Sequence, residues 1–109
     1  MKLKEGVTLT RLHPSIAHAL DVIDAYWWKK FGTHVVVTSL GDGTHSEGSL
    51  HYGVRGDVRC RALDFRIRHL EGAVRAQVRL DLRGLLGSVY DVVLESDHGH
   101  IEFDPKILD

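Results

Sequence analysis

The segment from Tyr90 to Phe103 constrains the fold of this chain most. It contains an apolar run, YDVVLE at 90–95, a short polar connection, SDHG, and a second alternating run, HIEF at 100–103. Two such runs with so few residues between them predict paired antiparallel strands, because parallel strands need a much longer connection. The chain must therefore build an antiparallel sheet around this hairpin.

The remaining segments predict two helices and two further strands. HPSIAHALDVIDAYWWKKFG predicts a helix over 14–31, because Pro14 suits a first turn and Gly32 suits the residue after a helix end. A second helix is predicted over about 70–86, and strands are predicted over 34–39 and 56–68. The order α-β-β-α-β-β predicts an α+β fold: one domain over residues 1–109, with an antiparallel β-sheet and the helices packed on one side.

Composition restricts the classes of function. The 109 residues carry a net charge of -1 with neutral histidines, so no strong field attracts nucleic acid or an anionic membrane. No apolar run is long enough for a membrane span or a signal peptide, and we expect a monomer that is cytoplasmic as synthesised. The single cysteine, Cys60, excludes an internal disulfide. The eight histidines are notable because histidine is the commonest metal ligand.

Histidines and carboxylates fall near the ends of the predicted strands. His51 follows the loop after the first of these strands, and Asp64 lies within the second. His98 and His100 are two residues apart, so both point to one side of an extended chain, and Glu95 shortly precedes them. A buried carboxylate is costly unless it is paired or binds a metal. These segments could form a metal site. There are two alternatives: Asp64 forms a salt bridge with an arginine, or the histidines lie on the surface and bind no metal.

Two histidines and a carboxylate suit a catalytic zinc site, which needs three protein ligands and an open position for water. Zinc lowers the pKa of its bound water to roughly 7. A carboxylate beside the metal can then accept the water proton and pass it to the leaving group, and Glu95 is the candidate. A histidine beside the metal could stabilise the developing oxyanion.

Three separated motifs resemble those of the M15-type zinc D-Ala-D-Ala peptidases, especially the small phage and bacterial members. These motifs lie in HSEGSLHYG, RALDFR and VVLESDHGHIEFDP, and the family pattern is Ser-x-His, then Ala-x-Asp, then a glutamate shortly before His-x-His. THSEGSLHY is also similar to the corresponding stretch of the Hedgehog signalling domain, which shares this fold and zinc site. The resemblance covers about residues 33–105.

The resemblance implies a Hedgehog/DD-peptidase-like fold and a zinc site. One Zn2+ per chain would be bound by His51, Asp64 and His100. Glu95 would be the general base that activates the zinc-bound water, and His98 would face the substrate carbonyl or the oxyanion. The implied activity is that of a zinc metallopeptidase.

The resemblance also implies a substrate class. This is a peptidoglycan stem peptide or a D-Ala-D-Ala peptide, cut next to a D-amino acid by a D,D-carboxypeptidase or an endolysin-like endopeptidase. His45 and Ser49 are assigned to the substrate side of the site, with Ser49 supporting it by hydrogen bonding. A phage-type holin would release such a protein to the cell wall. The alternative is a non-catalytic zinc-containing binding module of the Hedgehog-like fold, whose DGTHSEG loop could also hold calcium.

The chain departs from the family pattern in three ways. The family spacing is His-x6-Asp, whereas twelve residues separate His51 from Asp64, so we expect a hairpin extension with a turn near 53–56. Asp57 is therefore a rival ligand, and Asp64 is preferred because its Ala-x-Asp context matches. Gly99 replaces an apolar residue and is expected to loosen its turn. No counterpart exists for an arginine that many members carry before the first histidine, and four others could bind a peptide carboxylate instead: Arg55, Arg59, Arg66 or Arg68.

Overall fold

The computed structural model describes residues 1–41, 49–54 and 57–103. Its elements are β1 (Lys2–Leu3), α1 (Pro14–Phe31), β2 (Val36–Ser39), a 3-10 turn (Leu50–Tyr52), β3 (Ala62–Arg66), α2 (Gly72–Leu86), β4 (Tyr90–Leu94) and β5 (His98–Phe103). The strands form one open sheet in the order β1-β2-β3-β5-β4. The radius of gyration, 13.2 Å, is that of a compact domain of this length. The predicted α+β class and single small domain agree with this architecture.

The sheet is mixed, so the prediction of an antiparallel sheet was wrong for one strand. β1 runs parallel to β2, with Lys2 opposite Val36, while the other neighbouring strands are antiparallel. The N–H groups of Lys2 and Lys4 donate to the carbonyls of Val35 and Val37 at 2.8 and 2.9 Å. α1 supplies the long crossover that a parallel pair requires. A two-residue strand carries no detectable alternation, which is why the sequence pattern did not indicate β1.

The two helices lie close to their predicted ranges. α1 begins at Pro14, and Gly32 ends it with a φ of 69°, a left-handed conformation that glycine adopts without strain. α2 begins at Gly72, slightly later than predicted, because the Leu70 N–H bonds to the Ile67 carbonyl in a preceding turn. Within the described ranges, neither helix is long and apolar enough to cross a membrane.

Both helices pack on one face of the sheet, as predicted. Their buried side chains form one core with alternate strand residues, and its members include Ile16, Leu20, Ile23, Trp27, Leu63, Phe65, Val78, Leu82 and Ile101. Because successive strand residues point to opposite faces, the intervening residues lie on the other side of the sheet. We call this side the open face, and it carries Asp64, Arg66, His98 and His100.

The β4–β5 connection is shorter than predicted. The Glu95 N–H donates to the His98 carbonyl at 2.8 Å and closes a turn over residues 95–97. β5 therefore begins at His98 rather than at position 100, and His98 and Gly99 pair with Arg66 and Phe65 of β3. Gly99 is a strand residue, so the expectation that it loosens the turn was wrong.

The strand predicted over 56–68 is reduced to the five residues of β3. Upstream of it, Val54 and Asp57 exchange backbone hydrogen bonds at 2.8 and 2.9 Å. This local pairing breaks the long strand and fits the hairpin extension predicted between His51 and Asp64. Residues 55 and 56, where the turn was predicted, lie outside the described residues.

Candidate metal centre

The pairing of β3 with β5 places Asp64 directly opposite His100. Side chains at such paired positions have Cβ atoms roughly 5 Å apart and share a face. His100 Nδ1 lies 2.6 Å from Asp64 Oδ1, and both side chains are largely buried. The sheet register thus brings together two groups that are far apart in the chain.

The 3-10 turn Leu50–Tyr52 places His51 beside the same carboxylate. Ser49 caps this turn, because its Oγ accepts the His51 backbone N–H at 3.3 Å. His51 Nδ1 lies 2.7 Å from the Leu40 carbonyl oxygen, which can only accept, so Nδ1 carries a proton. Nε2 is left facing Asp64 Oδ2 at 3.3 Å. His51 is 3% exposed, so packing holds the ring in this orientation.

His51, Asp64 and His100 could hold a metal ion. Each offers one ligand atom, and these atoms all lie within 4.8 Å of one another. Zinc bonds nitrogen and carboxylate oxygen at about 2.0–2.2 Å, so two ligands of a tetrahedral ion lie roughly 3–3.5 Å apart. The 3.3 Å between Asp64 and His51 already suits this spacing, and the 2.6 Å between Asp64 and His100 needs only a small opening.

The electrostatics of this group favour a positive charge beside Asp64. Burial lowers the pKa of His51, but hydrogen bonds to Asp64 and Cys60 and the Asp64 charge outweigh burial and raise that pKa to about 9. Burial raises the pKa of Asp64, whereas hydrogen bonds from His100 and His51 prevail and hold it well below its usual range. The carboxylate is therefore ionised at neutral pH. A proton and a metal ion would compete for the His51 ring.

Glu95 and His98 lie beside this group at its exposed edge. His98 Nε2 is 4.0 Å from Asp64 Oδ1 and 4.0 Å from Glu95 Oε2. The Glu95 side chain is 54% exposed, so it can meet a ligand from solvent. His98 Nδ1 bonds Asp97 Oδ1 at 2.7 Å, and this bond lowers the pKa of Asp97. His98 thus adjoins the predicted ligand Asp64, and Glu95 adjoins His98.

Among the described residues, the other predicted site residues are not part of the group formed by His51, Asp64 and His100. Asp57, the rival ligand, is paired with Arg59 and Arg61 at 2.9 and 2.7 Å, and hydrogen bonds from Arg59 hold its pKa below the usual range. Its oxygens are thereby engaged by guanidinium groups. Ser49 accepts a hydrogen bond within the turn that presents His51, and its assignment to the substrate side stays a prediction. His45 and the proposed calcium loop lie outside the described residues.

The four arginines considered for carboxylate binding differ in their ion pairing and exposure. Arg59 makes a bidentate contact with Asp57, with both bonds at 2.9 Å. Arg68 is exposed beyond the end of β3, whereas Arg66 is half-buried within β3 on the open face. Arg55 lies outside the part of the chain that is described.

Three groups at the site were not predicted. Glu102 Oε1 lies 3.6 Å from His100 Nε2, and the alternation of HIEF could have indicated it, since residues two apart share a face. Buried Cys60 hydrogen-bonds to His51. The Leu40 carbonyl that orients His51 has no sequence signal, because any residue supplies a carbonyl.

Comparisons with known proteins identify no family for this chain. No family model, curated protein or solved structure gives a significant match.

Proposed function

We propose that this protein is a zinc-dependent peptidase that hydrolyses a peptide bond next to a D-amino acid in peptidoglycan stem peptides. It would act as a D,D-carboxypeptidase or an endopeptidase. The observation that carries the proposal is the placement of Glu95 and His98 beside the possible metal-binding group on the open face. Two imidazoles and a carboxylate suit catalytic zinc, and the D-amino acid preference rests on the motif resemblance.

The proposed ligand atoms follow from the hydrogen bonds around each ring. When bound, zinc supplies the Lewis acidity that lowers the pKa of water and polarises a peptide carbonyl. His51 would bind through Nε2, because the Leu40 carbonyl keeps the proton on Nδ1. His100 would bind through Nδ1, because its Nε2 faces Glu102, and a carboxylate in that position raises the basicity of the ring. Asp64 would supply the third ligand.

Glu95 and His98 would carry the proton and the developing charge. The Glu95 carboxylate accepts a proton from the attacking water and returns it to the leaving nitrogen. His98, protonated on Nε2, donates to the carbonyl oxygen as negative charge develops there. Asp97 accepts from His98 Nδ1, which orients the ring.

The test is product analysis by mass spectrometry. Zinc-loaded protein and its Glu95→Gln variant are incubated with a peptide ending in D-Ala-D-Ala and with purified peptidoglycan. We expect the parent to release D-alanine or cut a cross-link, and the variant to lose about 100-fold or more in kcat. Glu71→Gln is the matched control, because Glu71 is exposed and makes no capping bond through its side chain. Unchanged cleavage by Glu95→Gln would refute this mechanism.

Zinc stoichiometry separates the enzyme from the alternative module. Elemental analysis should find one zinc per chain, lost in His51→Ala and retained in His18→Ala, which removes an exposed helical histidine. Zinc bound at this stoichiometry with all substrates intact would instead favour the non-catalytic zinc-containing binding module.

A further inference from the structure

Arg66 lies on the open face next to the residues proposed to act on substrate. It follows Asp64 by two residues on β3 and lies directly opposite His98 on β5. Paired residues of antiparallel strands have Cβ atoms roughly 4.5–5.5 Å apart. The Arg66 side chain therefore begins beside His98 and on the same face as the ligands.

The Arg66 guanidinium is available to a ligand. Across residues 1–41, 49–54 and 57–103, no hydrogen bond or ion pair involves its side chain. Nearby arginines are occupied: Arg59 and Arg61 bond Asp57, and Arg75 donates to backbone carbonyls of two turns. The Arg66 side chain is half-buried, and its guanidinium can form two parallel hydrogen bonds with an incoming carboxylate.

We propose that Arg66 binds the terminal carboxylate of the substrate and directs the site to peptides with a free C-terminus. This rests on the proposed function and deepens it, because it makes the protein a carboxypeptidase. The planar guanidinium matches a carboxylate with two parallel hydrogen bonds. Because Arg66 is paired with His98 across the two strands, a peptide whose carbonyl faces His98 would present its terminal carboxylate, one residue further along, on the Arg66 side.

The test uses two peptides that differ in one group. Acetyl-Lys-D-Ala-D-Ala is supplied as the free acid and as its C-terminal amide. Binding of each to chelator-treated, zinc-free protein is measured by NMR titration, and KM and kcat are measured with zinc-loaded protein. We expect the acid to bind about 10- to 100-fold more tightly than the amide. Loss of this interaction should raise KM far more than it lowers kcat.

Variants assign that preference to one side chain. Arg66→Gln should bind the acid and the amide equally, and Arg66→Lys should keep part of the preference because it keeps the charge. Arg83→Gln removes an exposed arginine of α2, and this variant should keep the full preference for the acid over the amide. Melting temperatures of the variants verify that they are folded.

Two outcomes overturn the inference. One is equal binding of acid and amide by the parent protein, which needs no variant and so does not depend on whether Arg66→Gln folds. The other is an undiminished preference in folded Arg66→Gln. The proposed function can fail separately. If the acid binds in an Arg66-dependent way but neither peptide is hydrolysed, the peptidase proposal is refuted and the carboxylate subsite stands. If both peptides are hydrolysed equally well, the peptidase proposal stands and the carboxylate subsite is refuted.

Discussion

Replacing Gly99 with alanine is expected to destabilise the protein and disturb the candidate metal centre together. Gly99 lies in β5 opposite Phe65 of β3. A Cβ at Gly99 would lie 2.5 Å from Phe65 Cε1 and Cε2 and nearer still to Cζ. The ring has little room to move, because it is fully buried and its centroid lies 5.7 Å from that of Trp27.

The magnitude follows from two opposing effects. Overpacking a buried site costs about 1–3 kcal/mol, and contact with three ring carbons puts this clash near the upper end. Alanine recovers about 0.5–1 kcal/mol, because glycine loses more conformational freedom on folding. We therefore expect a net loss of about 2 kcal/mol in the free energy of unfolding. At about 4 °C per kcal/mol for a domain of this size, the melting temperature should fall by about 8 °C.

Urea unfolding and calorimetry measure this loss, with Gly84→Ala as the matched control. A Cβ at Gly84, within α2, meets nothing within 4 Å, so this change should stabilise the protein by up to about 1 kcal/mol. His98 and His100 flank Gly99 in β5, so displacement of the strand should also weaken zinc binding. Zinc affinity is measured in parallel by competition with a chelator.

A double-mutant cycle identifies the cause. Phe65→Leu removes the clashing ring edge, so adding Gly99→Ala to that background should cost less than it costs in the parent. If Gly99→Ala unfolds at the parent's urea concentration, the close packing of Phe65 against β5 is refuted. If the two substitutions are additive, the loss has another origin.

Three further predictions concern the site and its support. In chelator-treated protein, the His51–Asp64 pair should stabilise the fold fully between about pH 4 and pH 6.5 and lose that contribution as pH rises through about 9, by on the order of a few kcal/mol; urea unfolding from pH 6.5 upwards should show no such decline in His51→Asn. Glu102→Gln should weaken zinc binding about 10- to 100-fold without unfolding the protein, measured by chelator competition, and unchanged affinity would exclude its role in orienting His100. Arg75→Ala should lower the free energy of unfolding by about 1–3 kcal/mol, because its guanidinium donates to the Leu70 and Ser96 carbonyls at 2.9 Å; a melting temperature equal to the parent's would contradict this.

Local patterns predicted most of the secondary structure. Pro14 and Gly32 bound α1 through their own backbone preferences, and the two-residue spacing of His98 and His100 places them on one face of any strand. β1 escaped detection because its pairing depends on carbonyls of β2 rather than on any pattern of its own.

The geometry of the site depends on register, which the local sequence does not specify. His100 faces Asp64 because of the register in which β5 pairs with β3. A shift of this register by one residue would turn His98 and His100 to the core face. The Leu40 carbonyl that orients His51 is likewise a contact between distant segments. The ligand types could be predicted, but the atoms that bind could not.

The alternation of faces along the sheet also determines where this protein can be altered. Val36, Arg66 and Val93 are half-buried on the open face around the ligands, whereas their chain neighbours Val37, Phe65 and Val92 are buried in the core. Substitutions outside a core usually change stability by less than about 0.5 kcal/mol. A combinatorial library at the three open-face positions should therefore yield mostly folded proteins with divergent ligand preferences, while the same library shifted by one residue should yield mostly unfolded ones.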